Sequence, residues 1–144
     1  MMVYNGGKWK NWIGVAIVSG LLVGCSSEPA KLVTHAVEGR VVNGKSPISH
    51  ATVVLHPVQE FQGESIRPRG QTDADGKFRL TTYTQNDGAP SGEYRVTIQK
   101  WTTEKPEEGP QNRLSNKLSK PETSGLTATI QEGENKLDDF KISK

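Results

Sequence analysis

The stretch QTDADGKFRL, residues 71–80, places two aspartates and a glycine ahead of a run that alternates apolar and charged side chains. Two structures compete for it: half of a calcium loop, or a tight turn feeding a β-strand. A calcium loop of the EF type needs oxygen ligands at several further positions and a bidentate glutamate at the twelfth. Counted from Asp73, the fifth position is Lys77 and the twelfth is Thr84, and neither can ligate as required. Asp and Gly are also the residues that shape a hairpin turn, and alternation begins directly after Gly76. The stretch reads as a turn between strands, with no metal and no cofactor expected.

The same period of two runs through the rest of the chain. AVEGRVV (36–42) puts Val37 and Val41 on one face and Glu38 and Arg40 on the other. Asn43-Gly44 follows as a hairpin signal, and ATVVLHP (51–57) is a second strand. GKFRLTTY (76–83) directs Phe78, Leu80 and Thr82 one way and Lys77, Arg79 and Thr81 the other. GEYRVTIQKW (92–101) sets Tyr94, Val96 and Ile98 against Arg95, Thr97 and Gln99, and GLTATIQ (125–131) aligns Leu126, Ala128 and Ile130. In NKLDDFKIS, Leu137 and Phe140 break the alternation, which a bulge would reconcile. Short strands separated by Gly, Pro, Asn and Asp clusters predict an all-β fold, an antiparallel β-sandwich of about seven strands.

The first residues carry an address instead. Lys8 and Lys10 precede an apolar run, Trp12 to Val23, that ends at Leu22-Val23-Gly24-Cys25. A basic segment, a short apolar run and small residues at the cut describe a secretory signal peptide. This run of 12 residues falls short of the roughly 20 that a spanning helix needs. LVGC resembles the lipobox of bacterial lipoproteins, in which the cysteine is acylated on sulfur and becomes the new N-terminus. Cys25 is the only cysteine, so it has no internal disulfide partner. Ser26 stands where a retention aspartate would often sit, which favours the outer membrane, facing the periplasm. The expected organisation is a signal peptide over 1–24, a lipidated Cys25 and tether over 25–35, and a sandwich over 36–144. Without Lys8 and Lys10, 16 of the 18 basic residues remain against 16 acidic ones, so no electrostatic footprint for nucleic acid exists.

GRVVNGKSPISHATVVLHP, TDADGKFRL and GEYRVTI occur in this order and resemble the carboxypeptidase regulatory-like domain, of the transthyretin-like (prealbumin-like) sandwich. The resemblance covers residues 36 to 101 well and the later strands loosely. The segment PETSGLTATI is similar to one in small bacterial lipoproteins built on this domain. His50 departs from the pattern, standing where the family usually has glycine; the turn must be reshaped, or His50 must take an unusual backbone angle. The module is a non-catalytic companion in that family, so the resemblance implies binding or scaffolding.

No catalytic constellation contradicts that expectation. His35 and Glu38 fit H-x-x-E, but on a strand residues three apart point to opposite faces. The hydroxyisourate hydrolases of this fold class end in Tyr-Arg-Gly-Ser, whereas this chain ends DFKISK. Arg67 and Arg69, around Pro68, read as solvated loop charges, with anion binding the minor alternative. The polar loop 102–123 carries three prolines, and loops of such length are functional or disordered. Within it Leu114 and Leu118 form one helical turn or two apolar pins. Trp101 enters this loop, either packed on the end of the sandwich or serving as a platform for a glycan or protein partner. Trp101, Leu114 and Leu118 are therefore the candidate partner surface. The expected function is a lipid-anchored envelope module that binds or supports an envelope protein or a glycan, and is not an enzyme.

Overall fold

The computed structural model describes Met2 and residues 30–143; Cys25 and the expected signal segment lie outside the described residues. Among the described residues there are eleven strands: β1 (Val37–Asn43), β2 (Ser46–Pro47), β3 (Thr52–Pro57), β4 (Arg69–Gln71), β5 (Lys77–Arg79) and β6 (Gly92–Gln99), then β7 (Trp101–Thr102), β8 (Gln111–Asn112), β9 (Leu126–Ile130), β10 (Asn135–Lys136) and β11 (Phe140–Lys141). One sheet is centred on β1, which pairs with β2, β5, β10 and β11. A second runs in the order β4-β3-β6-β9 and is antiparallel throughout. The fold is all-β.

Alternation explains which side chains meet between the sheets. Val37, Val41, Phe78 and Leu80 from the first sheet share one core with Val53, Leu55, Tyr94, Val96, Ile98, Ala128 and Ile130 from the second. Each large aliphatic or aromatic side chain buried this way contributes about 1.5–3 kcal/mol. Tyr94 is fully buried and satisfies its hydroxyl by donating to the Pro90 carbonyl at 2.7 Å. Burial pushes its phenol up to about 12, with Tyr83 adding to the shift.

The opening stretch is a turn. Asp73 Oδ1 accepts the N–H groups of Asp75 and Lys77, both at 2.9 Å, and the Asp73 N–H closes onto the Lys77 carbonyl at 2.8 Å. Its side chain is thus committed to the backbone that launches β5. The hairpin between β1 and β2 differs in detail from the Asn-Gly expectation. Asn43 pairs with Ser46, so the loop residues are Gly44 and Lys45, with positive φ at Gly44 alone. That is the II′ pattern. His50 takes φ 56, a left-handed backbone angle that is unusual for a residue other than glycine.

The C-terminal segment departs from a wholly antiparallel sandwich. Both β10 and β11 lie parallel to β1, with Val37 opposite Asn135 and Val41 opposite Phe140. The offset grows by one residue between these pairs, which places the expected bulge between β10 and β11. The extra residue turns Phe140 inward, where its ring stacks on Phe78 at 6.1 Å. Leu137 packs against the same core.

The segment 102–123 is more ordered than a long loop would be. Strands β7 and β8 form a small antiparallel hairpin, and 3-10 turns occupy Pro106–Glu108 and Asn116–Ser119. The second turn packs against β6, with Leu114 and Leu118 buried in the common core. These two leucines are pins, so they are withdrawn from the candidate partner surface. Leu118 lies within the second 3-10 turn and Leu114 just before it.

Candidate functional site

Trp101 is the one member of the expected surface that stands exposed, with 55% of its area open to solvent. It is separated from β6 by Lys100 alone and sits opposite Asn112 in the hairpin. Its indole N–H donates to Gln99 Oε1 at 2.8 Å, which fixes the ring's orientation. The Asn112 carboxamide holds the hairpin from below. Its Oδ1 accepts from the Lys100 N–H at 2.9 Å, and its Nδ2 donates to Ser119 Oγ at 3.0 Å.

A hollow of about 120 Å³ lies on the same hairpin, lined by Thr102, Gln111 and the charged groups around them. Trp101 is not part of its lining. Lys105 pairs with Glu108 at 2.7 Å and Arg113 with Glu104, so these charges answer one another. A drug-sized ligand occupies a pocket of about 300–1,000 Å³. The hairpin thus offers a raised aromatic surface.

A larger hollow, about 660 Å³, was not found by sequence reasoning. It covers the outer face of the first sheet, where Arg79, Glu38 and Lys136 come into register across β5, β1 and β10. Arg40 donates from Nε to the Asp75 carbonyl at 3.0 Å and lies 3.9 Å from Asp139. Phe78, Gly39 and Leu137 also line it. The outward alternates Glu38, Arg40, Lys77 and Arg79 were the legible signal; the pairing that assembles them was not. Both signs of charge alternate here, which makes a solvated ladder and not a single-sign field.

The histidines are spent separately. His35 Nδ1 accepts the Gly133 N–H at 3.1 Å, His50 forms the turn before β3, and His56 Nε2 shares a hydrogen bond with Thr97 Oγ1 at 2.9 Å. Burial, helped by Arg67, holds the His56 imidazole below its ordinary value, against Glu122 and Glu60. Arg67 is not a free anion site, because its guanidinium grips both oxygens of Glu60 at 2.7 and 3.0 Å. Arg69 lies in β4, opposite Val54. Among the described residues, no three histidine, cysteine or acidic side chains gather as a metal site would require.

No protein-family model and no curated protein matches the chain. Among solved structures it is similar to a DUF3823 family protein from Parabacteroides merdae, at 12% identity and a TM-score of 0.40, over 77% of this chain and 47% of that one. It is also similar to a 9R-lipoxygenase from Cyanothece, at 14% identity and a TM-score of 0.40, over 81% of this chain and 18% of that one. The chain therefore spans about half the length of the first and under a fifth of the second.

Proposed function

We propose that this protein is a lipid-anchored module of the bacterial cell envelope, of the carboxypeptidase regulatory-like or transthyretin-like kind, that binds a partner without catalysing a reaction. Acylation at Cys25 ties it to the membrane, with the outer membrane favoured by Ser26. The observation that carries the binding reading is Trp101. A tryptophan is among the costliest side chains to leave in water, yet this one is held upright by Gln99 above a core that is complete without it. A flat apolar ring with polar neighbours fits the face of a sugar or the apolar anchor of an envelope protein.

Trp9 and Trp12 belong to the signal segment, so Trp101 is the only tryptophan of the cleaved chain. Its emission therefore reports this surface alone. Titration with soluble peptidoglycan fragments should shift that emission if the partner is a glycan. In-cell cross-linking followed by mass spectrometry should recover an envelope protein if it is not. Trp101→Ala should abolish glycan binding measured by calorimetry, or recovery of the protein partner by cross-linking, and unchanged affinity or yield in the variant would overturn the reading.

A further inference from the structure

We infer that the end of the sandwich bearing His35, Val58 and Tyr83 faces the lipid bilayer, and that the Trp101 hairpin points away from it. The inference rests on the proposed acylation of Cys25 and adds the direction in which the module is presented.

The segment before β1 is docked. The Leu32 N–H donates to the Tyr83 hydroxyl at 3.1 Å, and that hydroxyl donates to Glu64 Oε2 at 2.8 Å. The Lys31 ammonium stands 5.7 Å from the centre of the Tyr83 ring. His35 exchanges two backbone hydrogen bonds with Ala89, at 2.9 and 3.0 Å. The neighbouring Gly88 leaves no room for a side chain, because a Cβ there would overlap the His35 carbonyl. Beneath this contact the Asp87 carboxylate accepts the N–H groups of Thr82, Tyr83 and Thr84. Residues 31–35, read from sequence as tether, are thus part of the folded body.

Only residues 26–30 are left between Cys25 and this docked segment. At no more than about 3.3–3.6 Å per residue, the acylated cysteine would lie within about 22 Å of Lys31. The strands then set the direction. Ala89 lies three residues before β6, which begins at Gly92, and Trp101 lies just past its far end. At about 3.3 Å per residue, nine residues place Trp101 about 30 Å from the anchored end. The anchored end also carries exposed aliphatic side chains. Val33 and Val58 are 75% and 50% exposed, and Val58 follows β3 at the end where its N–H meets the Glu93 carbonyl.

The test uses the acylated chain, from Cys25 onward, in phospholipid vesicles. Cys25 is the sole native cysteine, so once it is acylated an introduced cysteine is the only free thiol. A fluorophore is attached at Val58→Cys or at Gln111→Cys, the latter beside Trp101, and quenched by headgroup-labelled lipid. The Val58 position should be quenched several-fold more than the Gln111 position. Ten Gly/Ser residues inserted after Pro29 should narrow that ratio. Equal or reversed quenching on vesicle-bound protein would overturn the orientation while leaving the anchor intact. A ratio untouched by the insertion would overturn the short tether as its cause. Failure of the chain to float with vesicles would contradict the acylation itself and remove the basis of the inference.

Discussion

The ring of Phe78 lies across Gly39, its partner on the facing strand β1. A Cβ built on Gly39 would come within 2.5 Å of Phe78 Cζ. Phe78 in turn stacks on Phe140, the residue that the C-terminal bulge turns inward. One glycine thus permits the aromatic pair that fastens the last strand onto the first.

Replacing Gly39 with alanine should therefore overpack this contact and cost about 1–3 kcal/mol. Urea denaturation of the chain from residue 30 onward checks it, read as a lowered midpoint at constant slope. An unchanged midpoint would show that Phe78 can move aside freely.

Leu118 and Trp101 should rank opposite to their sizes. Leu118 is buried in the common core, and Leu118→Ala should cost about 2–5 kcal/mol. Trp101 is mostly exposed, and Trp101→Ala should cost less than about 2 kcal/mol. The two denaturation midpoints decide the order. The reverse order would place Trp101 in the core and end its candidacy as a contact surface.

Much of this was readable from alternation, and the failures have physical causes. Val37 with Val41, Phe78 with Leu80, and Tyr94 with Val96 and Ile98 face inward as their spacing requires. The bulge before Phe140 was also legible, because Leu137 and Phe140 broke the alternation. The left-handed angle at His50 is one of the two outcomes that its departure from the resembled pattern left open. Strand pairing was not. Nothing local in Asn135 or Phe140 says that their segment returns parallel to β1, so the charged hollow that this pairing completes stayed hidden. Strand β4 escaped because Arg69-Gly70-Gln71 is short and polar; its place is fixed by hydrogen bonds to β3. Leu114 and Leu118 were ambiguous, since two apolar residues in a polar loop serve equally as pins or as a surface. The docked segment 31–35 depends on Tyr83 and Ala89, which lie more than fifty residues away.

Stability should fall in acid through Asp87. Burial raises its pKa, but the N–H groups of Thr82, Thr84 and Tyr83 outweigh that and hold it below the ordinary 3.8. A carboxylate with a depressed folded value contributes stability above the unfolded pKa and loses it as pH falls through the folded one. The gap in stability between the wild type and Asp87→Asn should thus be full at neutral pH and close progressively below about pH 4. Denaturant titrations of both proteins at several pH values measure it. A gap independent of pH would mean that the carboxylate charge does not hold the Tyr83 corner.

Intact-mass analysis of membrane-extracted protein tests the anchored, envelope-facing account most directly. The account predicts a chain that begins at Cys25 and carries added acyl mass, with Cys25→Ala released from the membrane fraction. A wild-type chain that begins elsewhere, or a Cys25→Ala chain that stays equally membrane-bound, would contradict it.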